Sequence, residues 1–371
     1  MADSIDKSVT DTKTTVEIPG AEEIIQDQQE KIEKVQSDGG PVEIEMDDQG
    51  GAEISFDPNA VTPEGGEEHF SNLAEFLDDG LLTELATTLS DKYTSYKESR
   101  ADWEDSYREG LDLLGFKYQR RTQPFRGASS VTHPVLAEAV AQFQATAYKE
   151  LLPADGPVRA QILGAVTSAK QDQANRVKDF MNYQLMDQMK EYEPEFDQML
   201  FYLPLTGSTF KKVYYDDLLG RAVSKFVHSD DLVVPYSATS LEDAEAVVHV
   251  IKMSENELRK QQVSGFYKDI DLGEPPVVEN QLTEKKQELE GITQNGQEDM
   301  YTLLEFHIDL DLEGYEDVNP EDGEPTGIKV PYIVTVDTAN TEILSIRRNY
   351  QAEDPLKKKI NYFVQFKFLP G

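Results

Sequence analysis

The side chains able to do chemistry are few, and their spacing sets what they can do. Histidine occurs at 69, 133, 228, 249 and 307, and cysteine is absent. Thiolate nucleophiles, thiolate zinc sites and disulfide scaffolds are therefore excluded. The densest local set is His228, Asp230 and Asp231, where one imidazole and two carboxylates can hold a divalent ion or close a solvated turn. Asp309, Asp311 and Glu313 alternate and would share one face of a strand, as a calcium site does or as the wet face of an edge strand does. Asp317 to Gly323 resembles a calcium loop but has its glycine one position late and no closing glutamate. No nucleophile elbow, phosphate-binding loop, dinucleotide fingerprint or zinc helix occurs. The expectation is a non-enzymatic chain with no cofactor and no metal; a metal-dependent hydrolase or a calcium-binding protein is the remote alternative.

One run opposes the bulk charge. From Lys117 to Arg126 the sequence KYQRRTQPFR carries Lys117, Arg120, Arg121 and Arg126, two aromatics and no acid. The whole chain has 71 acidic and 35 basic residues, a formal charge of −36. Such a chain does not hold DNA or an acidic membrane by general phosphate neutralisation. The four cations instead suit contact with a neighbouring subunit's acidic face, or a local touch on DNA phosphate.

The elements that position these groups follow from periodicity. Residues 1–68 hold 19 acids against four lysines and a single aromatic, Phe56, a composition expected of a disordered acidic arm with at most a transient helix near Ala21 to Val35. From 69 to 203 apolar residues recur every three or four positions, predicting a helical region. Leu73 to Leu89 and Tyr93 to Leu114 form two runs, broken near Gly80 and Gly115. Ser129, Ser130 and Thr132 supply cap oxygens before Pro134 and a stripe from Val135 to Leu151. A longer helix is expected from Thr167 to Tyr192, burying Ala174, Val177, Phe180, Met181, Leu185 and Met189, with Pro194 breaking it and a further piece from Glu195 to Tyr202.

At 204–262 the period falls to two. Thr209 to Tyr215 and Ala222 to His228 read as a hairpin and Ala246 to Met253 as a strand, after which Ser254 and Glu257 form a capping box. Residues 263–299, with Pro275-Pro276 and Asn295-Gly296, read as a polar loop or insertion with a helical stretch near Gln281 to Leu289. Residues 300–371 return to antiparallel strands and stop after an aromatic one, as a truncated longer chain would. The fold class is α+β. No apolar run reaches the roughly 20 residues of a membrane span, and no secretory signal opens the chain.

The run KYQRRTQPFRGASSVTHPVLAEAVAQFQATAYKELLPADGPV resembles the N-terminal core of tailed-bacteriophage portal proteins, of the podovirus type related to the Salmonella phage P22 portal. The block from Leu205 to Lys260 and the strand around Leu304-Glu305-Phe306-His307 resemble that family's following sections, so the likeness covers about residues 95 to 371. It implies a portal wing and stem-like core, and a subunit of a ring, usually dodecameric, at one capsid vertex. The implied partners are other copies of itself, the terminase large subunit, the major capsid protein or scaffold, head-to-tail adaptor proteins, and double-stranded DNA passing non-specifically through the channel. The implied location is the virion, after synthesis in the host bacterial cytoplasm. A different head-tail adaptor or structural protein of the virion is the alternative.

Overall fold

The structure is a computed structural model that describes residues 43–46, 52–55, 69–115, 125, 133–216, 219–275, 282, 285, 286, 289, 300–319 and 324–368. It is α+β. Residues 1–68 and 69–371 form separate units. In the first, β1 (Glu43–Met46) and β2 (Ala52–Ser55) pair antiparallel, Ile44 opposite Ile54. The stretch from Ala21 to Val35, where a helix is expected, lies outside the described residues.

The second unit is built on a five-stranded antiparallel sheet in the order β5-β6-β7-β8-β9, formed by Leu232–Val233, Ala246–Met253, Tyr301–Leu310, Val330–Asp337 and Ile343–Arg348. Its register lines up Val248, Phe306, Val334 and Ile346 across four strands. This row is buried under Leu82, Ala86 and Leu89 of α1 (Asp79–Ser99) and under Leu73 and Ala74 of a 3-10 turn. Each of the large side chains contributes about 1.5–3 kcal/mol by leaving water. Asn72 closes the sheet's open edge: its Nδ2 donates to the Leu344 carbonyl at 3.0 Å, and its Oδ1 accepts from Ile346 N at 3.0 Å. An edge strand so covered cannot template a second chain.

The sheet's other face lies against α6 (Glu255–Val263) and a three-stranded sheet of order β10-β3-β4, formed by Phe363–Lys367, Ser208–Asp216 and Arg221–Val227. Ser254 and Glu257 make the reciprocal capping box that opens α6. The outer sheet is covered in turn by α5 (Tyr192–Thr206), whose Phe196, Met199 and Leu200 join Phe226 and Phe366 and the side chains Phe143, Ala147 and Tyr148 of α3 (Val135–Leu151). α2 (Ala101–Leu114) packs Tyr107 and Leu111 beside Tyr202 of α5.

Several expected boundaries move. α1 and α2 break at Arg100, whose guanidinium donates to the carbonyls of Ser229 and Leu232 at 3.2 and 2.9 Å. Pro134 sits at the N-cap of α3 with no side-chain cap bond, while Ser129, Ser130 and Thr132 lie outside the described residues. The helix expected from Thr167 to Tyr192 is α4 (Ser168–Tyr183) followed by a π turn over Gln184–Gln188. Pro194 does not break a helix: it lies in the first turn of α5, where its missing N–H costs nothing, and Pro204 is tolerated near the other end. Gly207, at φ 80, ends that helix in the left-handed region open to glycine.

Candidate functional site

The expected basic contact residues Lys117, Arg120, Arg121 and Arg126 lie outside the described residues; Phe125, in their midst, is 65% exposed. The segment leads into α3, and beyond α3 the chain presents an unusual surface. α4 buries none of its 16 residues. Val177, Phe180, Met181 and Tyr183 are all 43% exposed or more, and Leu163 and Val166, just before the helix, are 84% and 65% exposed. The expectation that Val177, Phe180 and Met181 would be buried is overturned. Apolar periodicity establishes that a helix has an apolar face, and it carries no information on whether the same chain supplies the cover.

What attaches this helix is polar. Asn182 Oδ1 accepts from Val158 N at 2.9 Å, and its Nδ2 donates to the carbonyls of Asp155 and Val158. Gly156, at φ +88, lies so close that a Cβ there would come within 2.5 Å of the Asn182 side chain. The loop after α3 is thereby clipped to the end of α4, leaving the apolar face of α4 uncovered.

Two buried charge clusters hold the body together. In the first, the row on the second face of the inner sheet is His249, Glu305, Thr335 and Ser345. Lys212 of β3 donates from Nζ to both Glu305 oxygens at 2.6 and 2.7 Å, and His307 Nε2 lies 2.8 Å from Oε1. Phe363 of β10 stacks edge-on against both His249 and His307. Burial alone would raise the Glu305 carboxyl, yet Lys212 and the two histidines hold it well below the usual range. Burial pushes His307 down.

The second cluster contains the expected His228, Asp230 and Asp231. They do come together, but the position an ion would take is filled by the ammonium of Lys286, 2.7 Å from Asp230 Oδ2 and 3.7 Å from Asp231 Oδ2. Burial, and then Lys286, push His228 down to about 3. Against the pull of burial, Lys286 holds Asp230 low, while burial and the Asp230 charge raise Asp231. Lys286 was not legible as a member, since it comes from the 263–299 insertion.

The other acidic candidates behave differently. Asp309 is an exposed residue within β7, opposite Pro331, whereas Asp311 and Glu313 are exposed beyond the strand's end at Leu310, so the three do not share one strand face. Asp317 takes the hydroxyl of Thr326 at 2.6 Å and Lys357 Nζ at 2.5 Å. Among the described residues no group of three or more His, Asp or Glu side chains is placed to hold a metal ion. No described helix is long and apolar enough to cross a membrane. The sequence matches no protein-family model and no curated protein.

Proposed function

We propose that this chain is a subunit of a ring that forms the portal at one capsid vertex of a tailed bacteriophage, a structural and non-catalytic conduit for DNA. The observation that carries the reading is α4, a 16-residue helix with no buried residue and with Phe180 and Met181 in water. A contiguous apolar face of this kind calls for a protein partner. In a ring, heterologous contacts would set this face of each copy against a different surface of its neighbour, repeating until they close.

The resemblance of residues 117–158 and 205–260 to podovirus portals points to the same assembly, which in that family meets the terminase, capsid protein and head-to-tail adaptors. Charge supports the conduit role. Each lysine or arginine contact with phosphate releases counterions and holds the duplex in place, so a subunit with a charge of −36 offers DNA a weakly repulsive wall. The cations Lys117, Arg120, Arg121 and Arg126 are then assigned to the neighbouring subunit's acidic surface.

The test is assembly. Phe180→Ser with Met181→Ser, and separately Arg120→Glu with Arg121→Glu, are expected to shift the purified protein from ring to monomer in sedimentation velocity while leaving its far-UV circular dichroism unchanged. Unaltered ring formation in both variants would count against the reading.

A further inference from the structure

The apolar face of α4 has a counterpart elsewhere on the same chain. At the β9 edge of the inner sheet, Arg347 donates to the carbonyls of Phe70, Gly265 and Phe266, and its guanidinium lies 4.4 Å from the centre of the Phe266 ring. Lys268 ties the same corner to the start of α1 through Asp79, at 3.3 Å. Four large apolar side chains are uncovered there, Phe70, Phe76, Val263 and Phe266, each 43% exposed or more. Their surroundings are acidic. Residues 69–84 carry Glu75, Asp78, Asp79 and Glu84, all exposed, and no lysine or arginine. Set against Arg347 and Lys268, these four acids leave the corner net negative.

The surface around α4 has the opposite sign. Residues 159–183 hold Arg159, Lys170, Arg176 and Lys178 against Asp172 and Asp179, in a chain whose total charge is −36. Val177, Phe180 and Met181, at i, i+3 and i+4, form one stripe, and Arg176 and Lys178 flank it. Lys178 is 3.3 Å from its neighbour Asp179, and Arg176 is exposed. The two surfaces match as apolar centres with rims of opposite charge. They do not meet within one chain. The corner lies at the edge of the inner sheet, and α4 lies beyond the outer sheet, where Met186 of the π turn that follows it joins Phe143, Ala147 and Leu152.

We infer that α4 of one copy docks on the Phe70, Phe76 and Phe266 corner of the next, with Val177, Phe180 and Met181 against those rings and Arg176 facing Glu75 and Glu84. The inference rests on the ring reading above and names both halves of its contact. Pairing of two different surfaces is the heterologous type that can close a ring, whereas α4 against α4 gives a two-fold dimer.

Because the chain has no cysteine, introduced thiols report only on where they are placed. Thr83, near the start of α1, and Gln173, one turn before Val177 on the α4 stripe, are both exposed. The experiment treats the assembled chain carrying Thr83→Cys and Gln173→Cys with a short bismaleimide. A covalent ladder of subunits is expected from the double variant, and no product between copies from either single variant. As a second readout, Arg176→Glu with Lys178→Glu is expected to raise the concentration at half-assembly at least about tenfold, and adding Glu75→Lys with Glu84→Lys is expected to restore most of the loss. Rings that form without the ladder, or that withstand the charge reversal unchanged, would overturn the inference and leave the ring reading standing. A product from Gln173→Cys alone would overturn it in favour of an α4 to α4 contact. A parent chain that never assembles would overturn both.

Discussion

Lys212 Nζ reaches both carboxylate oxygens of Glu305 across the gap between the two sheets, at 2.6 and 2.7 Å, with side chains only 15% and 12% exposed. The pair fixes β3 of the outer sheet over β7 at the centre of the inner one. Because β3 also carries β10 and supports α5, the helical layer is positioned relative to the main core through this contact.

Removing one partner should therefore be costly. Lys212→Met leaves a buried carboxylate uncompensated and is expected to lower unfolding stability by about 3–5 kcal/mol in urea titration. The double variant Lys212→Met with Glu305→Leu should recover most of that loss. Equal losses in single and double variants would show that the pair does not act as a unit.

A neighbouring lysine should behave in the opposite sense. Lys211 is 3% exposed, its Nζ has no hydrogen-bond partner, and it lies 4.3 Å from the centre of the Tyr192 ring. Burial pushes it down to about 8. Below pH 8 both folded and unfolded chains carry the proton, and the folded state bears the cost of the buried charge. Lys211→Met is expected to raise stability by about 1–3 kcal/mol at pH 7. The advantage should shrink as pH rises from 8 to 10.5, where the unfolded lysine also loses its charge. A destabilised Met variant at pH 7 would contradict this account.

Acid lability is expected from His228. Its native pKa of about 3 lies below the ordinary 6.5, so between these values the unfolded chain binds a proton that the folded chain refuses. Stability must fall as pH drops from 6.5 towards 3, with a slope from this one group of no more than about 1.4 kcal/mol per pH unit. His307 is depressed by burial and adds in the same direction. Chemical denaturation at several pH values should show His228→Phe with a shallower slope than the parent chain; an unchanged slope would sink the assignment.

Much of this architecture is written in local patterns. The two-residue period from Thr209 to Tyr215, the Ser254–Glu257 box and the 3.6-residue stripes of α1 and α3 each name their element because the signal lies within a few residues of itself. The sites were legible only in part. Glu305 and His307 stand two apart and so share a face, but Lys212 is 93 positions from Glu305 and meets it only once two sheets dock. His228, Asp230 and Asp231 do stand together, but not as a solvated turn: Asp230 is buried and the cation beside it arrives from residue 286. The stripe on α4 was visible and its burial was not, since amphipathicity describes one surface and the cover belongs to another.

The most direct test of the portal reading is the mass and symmetry of the purified protein, by native mass spectrometry with negative-stain imaging. Closed rings of about a dozen subunits around a hole wide enough for a DNA duplex are the predicted result, lost when Phe180 and Met181 are made polar. A strict monomer at every concentration, with the exposed face of α4 unprotected in hydrogen exchange, would contradict it.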